Sequence, residues 1–323
     1  MKKSVILGLL ISFFLSHSFS DQALGQASYP TKPIDMIVAY GPGGGSDIMG
    51  RFLSAYFSKE AGVQLNVINK AGGAGAIGLQ TALAARPDGY TMLMDTHGIA
   101  SMIALYTGTY PVDWRKRAWC SRIVVEPMVY QGRVDAPWKT RTEVAEFIKQ
   151  NPEKLRWGTS GLTGCGAPAG IQFFRANEIS MKMVRRVMFQ GAAEVVVALA
   201  GGHIDFASQQ YSESASLIEA KKTRPIAVVA AKRLPLLPDV PTVTEAGYPM
   251  LDVMGWQGVS GPAGIPKEVV DFWAKSLEKA CKDPAFIEQA EKLKKEVTYL
   301  GPKEFESFVE GEFQKYSRLG KEW

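Results

Sequence analysis

Apolar positions along this chain recur with two different periods, and the two alternate. Ile34 to Ala39 is a short apolar run bounded by proline and glycine, the length of a buried strand. After a glycine turn, Ile48, Met49, Phe52, Leu53, Tyr56 and Phe57 recur at intervals of about four, which predicts a helix with one apolar face. Val63 to Ile68 predicts a second strand and a small-residue helix follows through Ala85. Asp88-Gly89 then turns the chain into a third strand, Tyr90 to Met94. Strand, helix, strand, helix, strand is the order of an open α/β sheet with right-handed crossovers.

The rhythm restarts further on. Ile123 to Tyr130 reads as one strand, and Thr140 with Glu143 forms the pattern of a capping box opening a helix to Gln150. A short strand at Leu155 to Gly158, a glycine-rich turn and a helix carrying Ile171, Phe173 and Phe174 come next. Strands at Met183–Phe189, Ile204–Ala207 and Ile226–Ala231 alternate with helices at Ala192–Ala200 and Glu213–Ala220. Pro235, Pro238 and Pro241 interrupt regular structure, as a segment crossing between two lobes would. The remainder reads as helical, its starts marked by Pro266, Pro284 and Pro302, because a first-turn proline removes no helical hydrogen bond. Two α/β units with a helical return predict a clamshell, with domain I at 28–123 plus 234–323 and domain II at 124–233.

The N-terminus suggests an address. Lys2 and Lys3 precede an apolar stretch from Val5 to Leu15, and small or polar residues follow to Ala27, which is the make-up of a cleaved secretory signal over residues 1–25. Cleavage after Gly25 or after Ala27 fits, and neither site offers the cysteine of a lipoprotein. Processing lowers the formal charge from +5 to +4, since Lys2, Lys3 and Asp21 leave together. The 37 basic and 32 acidic residues are spread without the dense basic block that nucleic acid demands. Cys120, Cys165 and Cys281 are odd in number, so one at least stays unpaired in a monomer, and their spacing matches no metal site. Only His97 and His203 remain after processing, too few for a histidine cluster.

Two glycine-rich turns carry the candidate chemistry. Tyr40-Gly41-Pro42-Gly43-Gly44-Gly45-Ser46-Asp47 lies between the first strand and helix, where exposed N–H groups and the positive helix end form an anion site. An ordinary strand–helix turn capped by Ser46 or Asp47 would read the same. Gly158-Thr159-Ser160-Gly161-Leu162-Thr163-Gly164-Cys165-Gly166 stands in the same position in the second unit and could face the first across a cleft. A phosphate loop is excluded because no Gly-Lys-Ser/Thr follows. Gly73-Ala74-Gly75-Ala76-Ile77-Gly78, with Asp95 downstream, matches a dinucleotide fingerprint, the enzyme-class alternative. Cys165 at a helix start could have a lowered pKa. No catalytic triad, metal cluster or paired-acid arrangement is identifiable, which favours a binding protein over an exported enzyme.

The chain resembles the Bug family, the periplasmic substrate-binding components of tripartite tricarboxylate transporters. The likeness rests on Tyr29-Pro30-Thr31-Lys32-Pro33-Ile34, Gly41 through Asp47, Asn69-Lys70-Ala71-Gly72-Gly73-Ala74-Gly75 and Pro87-Asp88-Gly89-Tyr90-Thr91. It continues through Leu236-Leu237-Pro238-Asp239-Val240-Pro241-Thr242, Glu245-Ala246-Gly247 and Gly261-Pro262-Ala263-Gly264-Ile265-Pro266. The resemblance implies a type II periplasmic-binding-protein fold: two lobes, each with an open, mostly parallel sheet flanked by helices, joined by a double crossover hinge. It also implies a monomer without cofactor that binds a carboxylate in the periplasm and passes it to membrane transporter subunits. Carried onto matching positions, the ligand contacts are Tyr40, Gly43, Gly44, Gly45, Ser46 and Asp47 in domain I, with Thr96 and His97. In domain II they are Thr159, Ser160, Thr163, Gly164, Cys165, Gly166, Phe189 and Gln209. Gln190 replaces the family's usual basic residue, and Gly164 and Cys165 stand where small hydroxyl residues are common. Tyr40, Phe189 and Trp256 would suit a flat or aromatic acid.

Overall fold

A computed structural model describes residues 29–60, 62–105, 113, 115–160, 164–189, 191–230 and 232–322. The expected secretory signal lies outside them. Among the described residues no helix is long and apolar enough to cross a membrane.

The first half builds β1 (Ile34–Val38), α1 (Gly45–Glu60), β2 (Leu65–Asn69), α2 (Ala76–Leu83), β3 (Thr91–Thr96), α3 (His97–Leu105) and β4 (Arg117–Glu126). The chain then forms β5 (Met128–Arg133), α4 (Arg141–Gln150), β6 (Arg156–Ser160), α5 (Gly166–Ala176), β7 (Arg185–Phe189), α6 (Ala192–Ala200), β8 (Phe206–Gln210), α7 (Tyr211–Glu219) and β9 (Thr223–Val229). It ends with β10 (Gly255–Pro262), α8 (Lys267–Lys282), α9 (Pro284–Lys292), β11 (Glu296–Leu300) and α10 (Pro302–Leu319).

Two sheets result, in the orders β11-β4-β10-β3-β1-β2 and β7-β6-β8-β5-β9. Both are mixed, where mostly parallel sheets were expected. β1 runs parallel to β2 and β3, but β10 enters antiparallel between β3 and β4. In the second sheet β6 is parallel to β7 and β8, and β5 is antiparallel to β8 and β9. This is an α/β structure of two lobes, one around each sheet.

The run read as one strand, Ile123 to Tyr130, is two strands in different sheets. Pro127 separates them, because a residue without an N–H cannot continue a ladder. Val125 pairs with Trp256 of β10, whereas Val129 pairs with Gln209 and Val228. The proline-rich return at 234–247 lies on the second sheet: Leu237 and Val240 pack with Val129, Tyr211 and Val228, and Val228 forms a bridge with Thr242. The Thr140–Glu143 capping box is present on α4. β10 was expected as helix because Gly255-Trp256-Gln257-Gly258-Val259-Ser260-Gly261-Pro262 is buried on both faces and shows no alternation, and β11 because Glu296–Leu300 is a short, partly exposed edge strand that follows a charged helical run.

One apolar face of the first sheet is closed by Met49, Leu53 and Phe57 of α1 and Trp273 and Leu277 of α8. The other continues into the second lobe as a single cluster holding Val125, Trp256 and Phe305 together with Tyr130, Trp157, Phe173 and Phe206. The lobes therefore share buried surface beside the crossover strands, and the polar strand ends stand above it.

Candidate functional site

The first glycine turn follows β1, and its shape is set by Asp47. Asp47 is buried, and its Oδ2 accepts the Gly43 N–H at 2.9 Å and the Arg51 Nε–H at 3.0 Å. Its Oδ1 accepts from Asn69 Nδ2 at 3.0 Å, and the same amide donates to Tyr40 O. Burial opposes the charge on this carboxylate, but the bonds from Arg51, Gly43 and Asn69 outweigh it and hold the pKa below the ordinary range. Both oxygens are thus committed to the turn, and the expected ligand contact of this side chain becomes a supporting role. Gly41 to Gly44 are exposed, with Gly43 at φ +81°, a conformation that favours glycine. Ser46 is buried in the first turn of α1.

Tyr40 is half-buried and wedges against two neighbouring turns. Its hydroxyl donates to Ala74 O at 3.4 Å and abuts Gly75 and Gly98, where a side chain would collide with it. Gly78 lets α2 press against Ala39 of the first strand's exit, so the Gly73–Gly78 run is spent on packing. Asp95, the acid a dinucleotide site would need, is fully buried. It accepts from Arg117 Nη1 at 2.5 Å and Ser260 Oγ at 2.8 Å. That leaves it no access to a ribose.

At the end of β3, Thr96 and His97 are both buried. His97 Nδ1 lies 3.1 Å from Thr96 Oγ1 and accepts the backbone N–H of Trp256 at 3.4 Å. Burial pushes the imidazole pKa down to about 4 against the pull of the nearby Glu126 charge.

In the second lobe Thr159 is buried and Ser160 half-buried at the end of β6. Thr163 and Gln190 lie outside the described residues. Cys165 caps α5 with its thiol turned inward, donating to Met254 O at 3.5 Å. Burial, reinforced by Glu312, Glu213 and Glu126, raises its pKa well above the ordinary thiol value, the reverse of the helix-start activation the sequence allowed. Gly166 is needed because a side chain there would meet Ser208 O at 2.5 Å and Gln209 Oε1 at 3.2 Å. Gln209 is sealed at 1% exposure with Nε2 unbonded, so it does not face open space here. Phe189 packs half-buried against the Val195, Leu199 and Ile204 cluster. Trp256 belongs to the core, edge-on to Phe305 and Phe308 with its indole N–H donated to Glu312.

A buried polar centre at the crossover went unnoticed in the sequence. Glu126, the last residue of β4, accepts from Lys295 Nζ at 2.6 Å, from Gln210 Nε2 at 3.0 Å and from Ser212 Oγ. Glu126 and Lys295 are 0% and 1% exposed in their side chains. Lys295 precedes β11 of the first sheet, whereas Gln210 and Ser212 belong to the second lobe. A side chain on Gly45 would point at this centre, 3.7 Å from Lys295 Nζ and 3.8 Å from Gln257 Nε2 and Glu126 Oε2. The signal available was a lone glutamate before proline in an apolar strand. Lys295 had none, sitting in a charged run that reads as helix surface.

The strand ends thus group Tyr40 to Asp47 with Thr96–His97 in the first lobe and, separately, Ser160 with Gly164 to Gly166 in the second. Two surface hollows of about 490 Å³ lie elsewhere, one on the flank of α5 lined by Phe174 and Met181, the other beside Arg51 and Asn66. Among the described residues no group of histidine, cysteine and carboxylate side chains could hold a metal ion.

Two mixed sheets, a double crossover and glycine-rich helix starts at the strand ends define a two-lobed solute-binding architecture of the periplasmic-binding-protein type. Residues 49–323 match the tripartite tricarboxylate transporter family receptor, and the chain belongs to that family. Among its relatives, the "UPF0065 protein in the TAR-I ttuE-ttuC' intergenic region" of Agrobacterium vitis is 30% identical over 83% of this chain and 76% of its own. Protein BugT of Bordetella pertussis is 23% identical over 97% and 96%. Periplasmic binding protein BugD superposes with a TM-score of 0.78 at 29% identity, covering 91% of this chain and 98% of its own. An R. palustris protein solved with adipate gives 0.82 at 25% identity over 91% and 98%.

Proposed function

We propose that this protein is an exported, monomeric receptor that captures a small mono- or dicarboxylate by hinge closure and hands it to membrane transporter subunits. The observation that carries the reading is the pair of glycine-rich helix starts, at Gly45 and Gly166, at the ends of parallel strands in the two lobes. Such ends present backbone N–H groups and partial positive charge to an anion. Ligands of open α/β sheets collect at carboxyl strand ends. The adipate bound by the R. palustris relative supports a carboxylate. The ligand contacts in this reading are the backbone N–H groups of Gly44, Gly45 and Ser46, with Tyr40, His97, Ser160, Gly164 and Gly166, while Gly43 and Thr96, whose donors are already bonded to Asp47, Asp95 and His97, shape the site. Closure follows from the ligand's differential affinity for the closed form.

A thermal-shift screen of succinate, adipate, malate, benzoate and phthalate tests this. The expected result is a raised Tm with a few related acids and recovery of each acid unchanged. Turnover of a hit would replace the receptor with an enzyme, and no shift with any acid would remove the carboxylate.

A further inference from the structure

The imidazole of His97 has one nitrogen already spoken for, and this decides what the other can do. Nδ1 lies within hydrogen-bond distance of two groups, Thr96 Oγ1 at 3.1 Å and the Trp256 backbone nitrogen at 3.4 Å. The hydroxyl could donate or accept, but a backbone N–H can only donate. Nδ1 must therefore be the unprotonated nitrogen, with the Thr96 hydroxyl turned to donate as well. The second nitrogen, Nε2, then carries the ring proton.

The strand pairing makes this arrangement rigid. Gln257 pairs with Thr96 in the β10–β3 ladder, so the Trp256 N–H lies just beyond that pairing, where the imidazole receives it. The Trp256 ring is locked in the core against Phe305 and Phe308, which fixes that N–H. Both hydrogen bonds of the ring fall on Nδ1, and His97 keeps 9% of its surface exposed where Gln209 keeps 1%. It stands at the start of α3, among the carboxyl strand ends that carry the candidate site. Glu126 and Lys295 are the charged groups that act on the ring, with opposite sign.

We infer that His97 presents an Nε2-protonated imidazole to the cleft and so demands a hydrogen-bond acceptor from the ligand at the start of α3. The acceptor half rests on the carboxylate reading above; the tautomer half does not. The chemistry selected is a carboxylate or carbonyl oxygen, and a ligand with an ammonium or amide NH₂ there meets a donor and is rejected. Because the ring stays neutral, it contributes no charge and no pH dependence to binding between pH 5.5 and 8.

The test has two arms. Nitrogen-15 NMR of the ligand-free, imidazole-labelled protein should show His97 Nδ1 as an unprotonated acceptor and Nε2 as protonated, unchanged from pH 8 to 5.5. A protonated Nδ1, or a ring that titrates in that range, overturns the inference. In the second arm, adipate, succinate and benzoate are titrated calorimetrically into wild type, His97→Gln and His97→Leu. Gln can accept from Trp256 and still donate, so it should bind within a few-fold of wild type. Leu should lose about tenfold to a hundredfold, the loss expected for one hydrogen bond to a charged group. Equal binding by Leu and wild type overturns the acceptor requirement, as does equal loss in Gln and Leu when circular dichroism shows both folded. Failure of wild type to bind any of the three acids overturns the carboxylate reading and the acceptor requirement with it, while the NMR arm decides the tautomer without a ligand.

Discussion

Asp47 Oδ2 accepts the amide N–H of Gly43 at 2.9 Å, tying the glycine turn back onto the helix that follows it. The carboxylate is buried and also holds Arg51 and Asn69. Asp47→Ala therefore leaves several donors without their acceptor, at a cost of about 1–3 kcal/mol in urea unfolding. It should also weaken carboxylate binding by loosening the loop. Full stability in this variant would mean that the turn holds its shape without the carboxylate.

Gly44→Val separates binding from folding. A Cβ at this position meets only Gly41 O at 3.6 Å, an ordinary contact, and the backbone is not left-handed. Unfolding free energy should stay within about 0.5 kcal/mol of wild type, as for other exposed substitutions. The valine methyls cover the exposed turn, so binding of whichever acid the screen identifies should be lost. Retained affinity would remove the first loop from the site.

The Glu126–Lys295 pair makes a sharp stability prediction. With both side chains out of water, Lys295→Met strands a buried carboxylate and should cost about 3–5 kcal/mol. Adding Glu126→Gln to it removes the stranded charge and should recover most of that loss. A double-mutant cycle in urea measures the coupling. Purely additive losses would mean the pair is not coupled.

His97 predicts a pH slope. Its folded pKa of about 4 lies below the unfolded value of about 6.5. Between these values the unfolded chain binds the proton first, so stability present above pH 6.5 is lost as the pH falls towards 4. The loss amounts to about 3 kcal/mol at most. His97→Gln should flatten that part of the profile in denaturant titrations at pH 4, 5, 6 and 7. An unchanged slope would assign the acid sensitivity to other groups.

All three thiols are buried and unpaired, and burial raises their pKa values, that of Cys281 to about 12. Iodoacetamide at pH 8 should leave the native protein unlabelled and modify Cys120, Cys165 and Cys281 once guanidinium unfolds it. Fast native labelling of Cys165 would reopen the exported-enzyme reading.

Local periodicity and turn chemistry were enough to read most of this fold. Most of the alternation from Ile34 to Val229, the Thr140–Glu143 cap and the proline-marked starts at Pro284 and Pro302 depend on neighbours within a few residues and are present, whereas α3 and the break of Ile123–Tyr130 into two strands were not expected. The two glycine turns were readable for the same reason. β10 was not, because a strand buried on both faces has no alternation to show.

What the sequence by itself determined is the type and order of most elements up to β9, the position of the glycine turns and the resemblance that proved to be the family. Tertiary structure decided which side chains at those turns are free. Asp47 and Cys165 looked like site residues, yet one is consumed by its own loop and the other faces the core. Glu126 and Lys295 looked like strand and helix surface, 169 residues apart, yet they meet in a buried pair where the lobes join. Contacts at such separations depend on how two sheets share a crossover, and no local pattern of residues records that.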